Sequence, residues 1–158
     1  MATTALHPYI ADEHQELAWL GRSRVRVLLD AAHTGGVLTA LSSELAAGDA
    51  SPLHSHARED EIFILLSGRA TVWVGDQRHE VGPGGVAFLP RDLPHAYRIL
   101  EDGTRMLTLC TPGGLEGFFR TAGHDLAEPL PEGWALGPAQ LGPAAAAHGV
   151  TLLGPPPA

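Results

Sequence analysis

The chain is 158 residues long, a length that suits one domain with a sizeable core, and its net charge of −8 argues against nucleic acid or an anionic membrane as partner. All ten basic residues are arginine, which excludes Schiff-base chemistry, a pyridoxal phosphate anchor and a phosphate-loop lysine. The single cysteine, Cys110, excludes an internal disulfide and any multi-cysteine zinc module; set in an apolar run, it reads as a small buried hydrophobe.

Residues 1–22 read as an N-terminal arm without the basic and long apolar stretches of a secretory leader. Within it, residues 12–19 suggest a helical turn with Asp12 as N-cap. From Ser23 the pattern changes to short β-like runs at 24–29, 37–46, 53–56, 61–66, 70–74, 78–81, 86–89, 96–100 and 106–111. Turn signals separate them, among them Thr34-Gly35-Gly36, Ser67-Gly68, Gly75-Asp76 and Asp102-Gly103. Many short strands at even spacing predict an all-β sandwich or barrel over residues 23–111. Residues 112–158 read as a C-terminal extension. It holds an apolar-faced helix at 115–120, a second helix over 143–149 with Pro143 near its start and Gly149 after its end, and an extended tail at Pro155-Pro156-Pro157. With no leader and no run of the roughly 20 apolar residues that a membrane span needs, a soluble, cytoplasmic protein is expected.

Chemistry concentrates in residues 52–61. His54 and His56 alternate on a predicted strand, so their side chains share one face about 6.6 Å apart. Two imidazoles at that spacing can converge on one ion through bonds of about 2.1 Å. Glu61 follows, and His95 returns from a distant strand behind Pro94, which biases the chain toward an extended approach. Glu61 and His95 could complete a mixed nitrogen/oxygen site. Glu59 and Asp60 are competing carboxylates that read as solvated loop residues. His79 reads as exposed in an edge hairpin, and His7, His14, His33, His124 and His148 as surface residues without ligand-like spacing.

The spacing of these residues resembles the cupin motifs. Gly48, His54, His56, Glu61 and Gly68 match the first motif throughout, and Gly84, Pro90 and His95 match the second. Asp92 stands where the family has its second glycine, and Ile99 replaces the asparagine. The resemblance covers residues 37–111 and implies a double-stranded β-helix, or jelly-roll, barrel. It also implies that His54, His56, Glu61 and His95 are metal ligands inside the barrel mouth. Strand parity puts His95, Tyr97 and Ile99 on one face and Glu61, Phe63 and Leu65 on another. The candidate substrate pocket is therefore Phe63, Tyr97 and Ile99.

Three neutral imidazoles and one carboxylate suit iron, manganese, nickel, cobalt, copper or zinc as the divalent cofactor. Glu61 could remain a ligand or act as the general base that removes a substrate proton. The resemblance is to small quercetin dioxygenase-like cupins, which implies a small enolisable or phenolic substrate and oxygenation or ring cleavage. A non-oxidative polyketide cyclase or isomerase, with the metal as Lewis acid, and a ligand-binding cupin without turnover are the alternatives. The resemblance also implies a homodimer.

Overall fold

A computed structural model describes residues 6–158; residues 1–5, on which part of the leader reading rests, lie outside it. Alternation of inward and outward side chains governs the architecture. In chain order the elements are β1 (Gln15–Ala18), β2 (Arg24–Leu29), the short α1 (Ala31–Thr34), β3 (Thr39–Leu45), β4 (Leu53–His56) and β5 (Asp60–Ser67). There follow β6 (Ala70–Val74), β7 (Gln77–Val81), β8 (Val86–Leu89), β9 (His95–Ile99) and β10 (Thr104–Thr111). The chain finishes with α2 (Glu116–Ala122), β11 (His124–Asp125), α3 (Pro138–Ala147) and β12 (Val150–Gly154).

The strands form two antiparallel sheets, β11-β1-β2-β3-β10-β5-β8 and β12-β4-β9-β6-β7, which make up the jelly roll. On β5, Glu61, Phe63 and Leu65 face inward, and on β10 so do Met106, Thr108 and Cys110. The inner faces build two apolar clusters. One gathers Leu45, Phe63, Leu65, Val72, Leu89, Ile99 and Met106. The other gathers Leu17, Trp19, Val25 and Leu41 with Leu115, Phe118, Ala144 and Val150. Among the described residues, no helix is long and apolar enough to cross a membrane.

Two local expectations are corrected. Residues 12–19 hold a strand, not a helical turn: β1 pairs with β2 on one side and β11 on the other. The extended form buries Leu17 while Glu16 stays outside to pair with Arg26 at 2.8 Å. The second C-terminal helix begins at Pro138 rather than near Pro143, because Pro138 occupies the first turn, where a missing N–H costs nothing, and Gln140 accepts a hydrogen bond from the Gly137 amide. Pro143 consequently lies inside the helix. The expectation for residues 112–158 also lacked β12, which pairs with the histidine-bearing β4: Val150 faces His56 and Leu152 faces His54.

Two motif positions acquire backbone reasons. Asp92 adopts φ +64, the left-handed region, and its amide donates to the His56 carbonyl at 2.8 Å. A glycine meets that requirement freely, and aspartate is among the few other residues that tolerate it. Gly68 turns the chain from β5 to β6 at φ +78, and a Cβ there would overlap Thr104 Oγ1 and lie 2.8 Å from the Thr104 Cα. Gly68→Ala is expected to destabilise the fold by about 3 kcal/mol, combining left-handed strain of about 1–2 kcal/mol with overpacking. Chemical denaturation measures this; an unchanged midpoint would show that the β5–β6 turn relaxes at no cost.

Candidate metal centre

His54 and His56 come from β4, and antiparallel pairing sets His95, the first residue of β9, directly opposite His54. Glu61 arrives from β5 in the opposing sheet. The cluster therefore bridges the two sheets. One donor atom from each of the four residues lies within 4.8 Å of the others. Ring centroids are 4.4 Å apart for His54 and His95, 5.0 Å for His54 and His56, and 5.1 Å for His56 and His95. Glu61 Oε2 is 3.1 Å from His95 Nε2 and 3.3 Å from His56 Nε2.

The surroundings of the rings set their orientation. His54 Nδ1 is 2.7 Å from the Pro52 carbonyl, and His95 Nδ1 is 3.0 Å from the Leu93 carbonyl. A carbonyl only accepts, so the neutral His54 ring carries its proton on Nδ1 and turns an Nε2 lone pair inward, while His95 donates from Nδ1 to Leu93 and sets its Nε2 against the Glu61 carboxylate. His56 has neither ring nitrogen hydrogen-bonded, since its approach to Glu61 lacks the alignment. Lone pairs and a carboxylate thus face one another in a buried space, an arrangement that calls for a cation between them. The donor set fits a divalent transition metal on these grounds.

Electrostatics favour a neutral donor at His54 and an ionised carboxylate at Glu61. Burial disfavours charge on His54, and with neighbouring His95 it lowers the pKa to about 4, leaving a neutral imidazole. Burial opposes charge on His56 too, but the Glu61 carboxylate 3.3 Å away, with Glu59 adding, outweighs it and raises the pKa. For Glu61, burial pushes upward, yet His56 and His95 hold the carboxyl well below the usual carboxylate range. Glu61 is therefore a carboxylate while its partners are in place.

Glu59 departs from the expectation of a solvated loop. It is 2% exposed, its Oε2 lacks a hydrogen-bond partner, and burial raises its pKa. Asp60, the first residue of β5, pairs with Arg91 at 2.9 Å. His79 is exposed on β7, whereas His33 stacks on Tyr9 at 3.8 Å and His148 Nε2 lies 2.9 Å from Thr121 Oγ1. Among the described residues, the four-residue cluster is the one group of three or more side chains positioned to share an ion.

A cavity opens from the cluster between the two apolar cores. His54, His56, Glu61, Phe63 and Tyr97 line its barrel side, together with Ser43, Ser51 and Thr108. Trp19, Leu20, Phe118, Phe119, Leu136 and Leu141 close it from the arm and the extension. Among the described residues, no arginine is part of the lining. Ile99 is not brought to this wall; it packs in the core with Leu45 and Leu65. Ser43 and Thr108 were available to strand parity once the β3–β10 register was known. The aromatic roof had no signal, because its residues come from segments that read as a separate arm and tail.

Residues 41–112 match the Cupin domain family. The chain is 31% identical over 117 residues, 73% of its length, to quercetin 2,3-dioxygenase of Bacillus subtilis (strain 168). That match covers 35% of the Bacillus protein, so the chain spans about a third of this relative. Among solved structures, KdgF from Halomonas sp. has a TM-score of 0.61 at 20% identity, over 68% of this chain and 96% of that one. A variant of Bacillus subtilis oxalate decarboxylase has a TM-score of 0.55 at 24% identity, over 68% of this chain and 31% of that one. These two likenesses are of fold.

Proposed function

The chain carries a cupin domain, and on that premise we propose that it is a metal-dependent oxygenase of an enolisable or phenolic small molecule. His54, His56, Glu61 and His95 would hold the ion. The observation that carries the reading is their convergence at an apolar cavity whose lining has no arginine. A small dicarboxylate would bury two charges there without a guanidinium to pair them. A largely apolar ring bearing one acidic hydroxyl beside a carbonyl leaves a single charge to satisfy.

A bound divalent ion supplies Lewis acidity toward a substrate oxygen and, when redox-active, a path for dioxygen chemistry. The protein's own part starts with Glu61, whose carboxylate lines the cavity where the hydroxyl of a phenol or enol can reach it and pass it a proton. His56 and His95 are the groups positioned to hold that carboxylate. Phe63 and Tyr97, whose rings meet edge to face at 5.8 Å, form a wall against which a flat substrate can lie. Trp19, Phe118 and Phe119 exclude water from above. The working unit is proposed to be a homodimer.

Oxygen uptake tests the reading. Protein loaded in turn with iron(II), manganese, nickel, cobalt, copper or zinc is supplied with a flavonol. At least one ion should support oxygen consumption, and Glu61→Gln should reduce the rate by about 100-fold or more. Conversion without oxygen uptake would move the protein to the non-oxidative cyclases and isomerases. Saturable binding without product would leave a ligand-binding barrel.

A further inference from the structure

The cavity wall carries two hydroxyls that the functional reading leaves unused. Ser43 on β3 and Thr108 on β10 both line the cavity, and they are 6% and 3% exposed. Other hydroxyls nearby are engaged: Thr39 donates to Glu116, and Ser51 Oγ accepts from the Tyr97 amide at 3.1 Å. Those of Ser43 and Thr108 have no hydrogen-bond partner among the described residues, and neither is sealed off, so both open to the cavity. Packing alone does not select them. Ser43 stands between inward-facing Leu41 and Leu45, and Thr108 between Met106 and Cys110. In each strand one of these neighbours belongs to the first apolar cluster and the other to the second. Alanine and valine would fill the same space without a polar atom. An unpartnered hydroxyl held away from bulk water destabilises a fold, and a ligand that pairs with it removes that cost.

Register gives the two hydroxyls a direction. Glu61 of β5 lies opposite Cys110, Thr108 lies opposite both Phe63 and Leu41, and Ser43 lies opposite Met106. Glu61, Thr108 and Ser43 therefore step diagonally across three neighbouring strands, by about 7–8 Å at each step. We propose that Thr108 and Ser43 are specificity-determining residues that hydrogen-bond uncharged hydroxyl or carbonyl groups on the part of the substrate remote from the metal. The inference rests on the functional reading and narrows its substrate to an aromatic of more than one ring that bears further polar groups. A single ring held at Glu61 does not span the two steps. The further groups must be neutral, because the described lining offers them hydroxyls and no arginine. A hydroxyl serves either kind of group, since it both donates and accepts. Apolar walls with a few placed polar groups are how a cavity fixes the orientation of a small ligand.

Calorimetric titration of the zinc-loaded full chain tests this, because zinc has no redox chemistry and binding is read without oxygenation. The probes are unsubstituted flavonol and a flavonol with hydroxyls on both outer rings. The wild type is expected to bind the hydroxylated probe about 20-fold more tightly, as two neutral hydrogen bonds allow. Thr108→Val and Ser43→Ala should each reduce that preference to about 5-fold, and the double variant should abolish it. Thr108→Ser, which keeps a hydroxyl, should retain it. The ratio of affinities is the readout, since a distorted cavity weakens both probes together. Equal affinities in the wild type overturn the proposal, as does a preference that persists in the folded double variant. Failure to bind either probe overturns it as well. Oxygen uptake on the same probes reports separately on the reaction. A preference without uptake under any ion keeps the subsite and ends the oxygenase reading, and uptake with equal affinities does the opposite.

Discussion

His95→Ala protein, purified without chelator, is expected to bind a divalent ion at least about 100-fold more weakly than the wild type. His95 is fully buried and stands within reach of both His54 and Glu61. Its loss removes a nitrogen donor and leaves Glu61 with one of its two imidazole neighbours. His54→Ala should behave similarly, as it deletes the donor directly across the strand pair. His79→Ala, altering an exposed histidine on β7, should retain the wild-type metal content. Elemental analysis and calorimetric titration provide the readout. Thermal unfolding adds a second: an ion at 1,000 times its dissociation constant stabilises the native state by about 4 kcal/mol. That stabilisation should vanish in the ligand variants and survive in the His79 control. Equal metal content in all four proteins would remove the cluster from the functional reading.

Glu116→Ala is expected to cost about 3–5 kcal/mol of stability. This buried carboxylate, at the start of α2, accepts hydrogen bonds from the Ala31 amide and the Gly114 amide, each at 3.0 Å, and from the Thr39 hydroxyl. It ties the extension to α1 and β3 at a single point. Truncation would leave the Ala31 amide and the buried Thr39 hydroxyl without this acceptor, while the Gly114 amide keeps Thr39 Oγ1 at 3.0 Å, and each lost partner costs about 1–3 kcal/mol. At roughly 2–4 °C per kcal/mol for a chain of this size, the melting temperature should fall by about 10 °C. Glu116→Gln should lie between wild type and alanine, since an amide has one accepting oxygen where the carboxylate has two. A Glu116→Ala melting temperature within about 2 °C of the wild type would show that α2 is held by its apolar face instead. Because α2 also supplies Phe118 and Phe119 to the cavity, the same change should weaken substrate binding.

The barrel was legible because its strands announce themselves twice, by alternation and by turn residues. The run at 53–56 coincides with β4, 70–74 with β6 and 86–89 with β8. The pairing of His54 and His56 on one face needed nothing beyond that alternation. The burial of Glu59 was not legible: a carboxylate beside Arg58 and Asp60 looks solvated until the fold closes over it. β1 was obscured because Leu17, Ala18 and Trp19 are consecutive apolar residues, a pattern that a short buried strand and a helical turn share. β12 was harder still. Only Val150 of its five residues is buried, and its identity comes from a partner far back in the sequence. Ile99 shows the limit of parity: the right face does not specify the right depth along the barrel.

The position of β12 has a consequence for how the molecule is made. β4 meets β9 through the single registered pair His54–His95, and its other flank is occupied by β12. Val150 follows its partner His56 by 94 positions (150 minus 56). A ribosome delivers chain from the N-terminus, so the two leading imidazoles exist long before the strand that flanks them. Pairing across such a separation is slow, because loop closure must come first. The nascent protein therefore passes through an interval in which its metal-seeking side chains are present on an unsupported edge. Capture of an ion during that interval would be governed by what the cell offers at that moment, not by the geometry of the finished barrel.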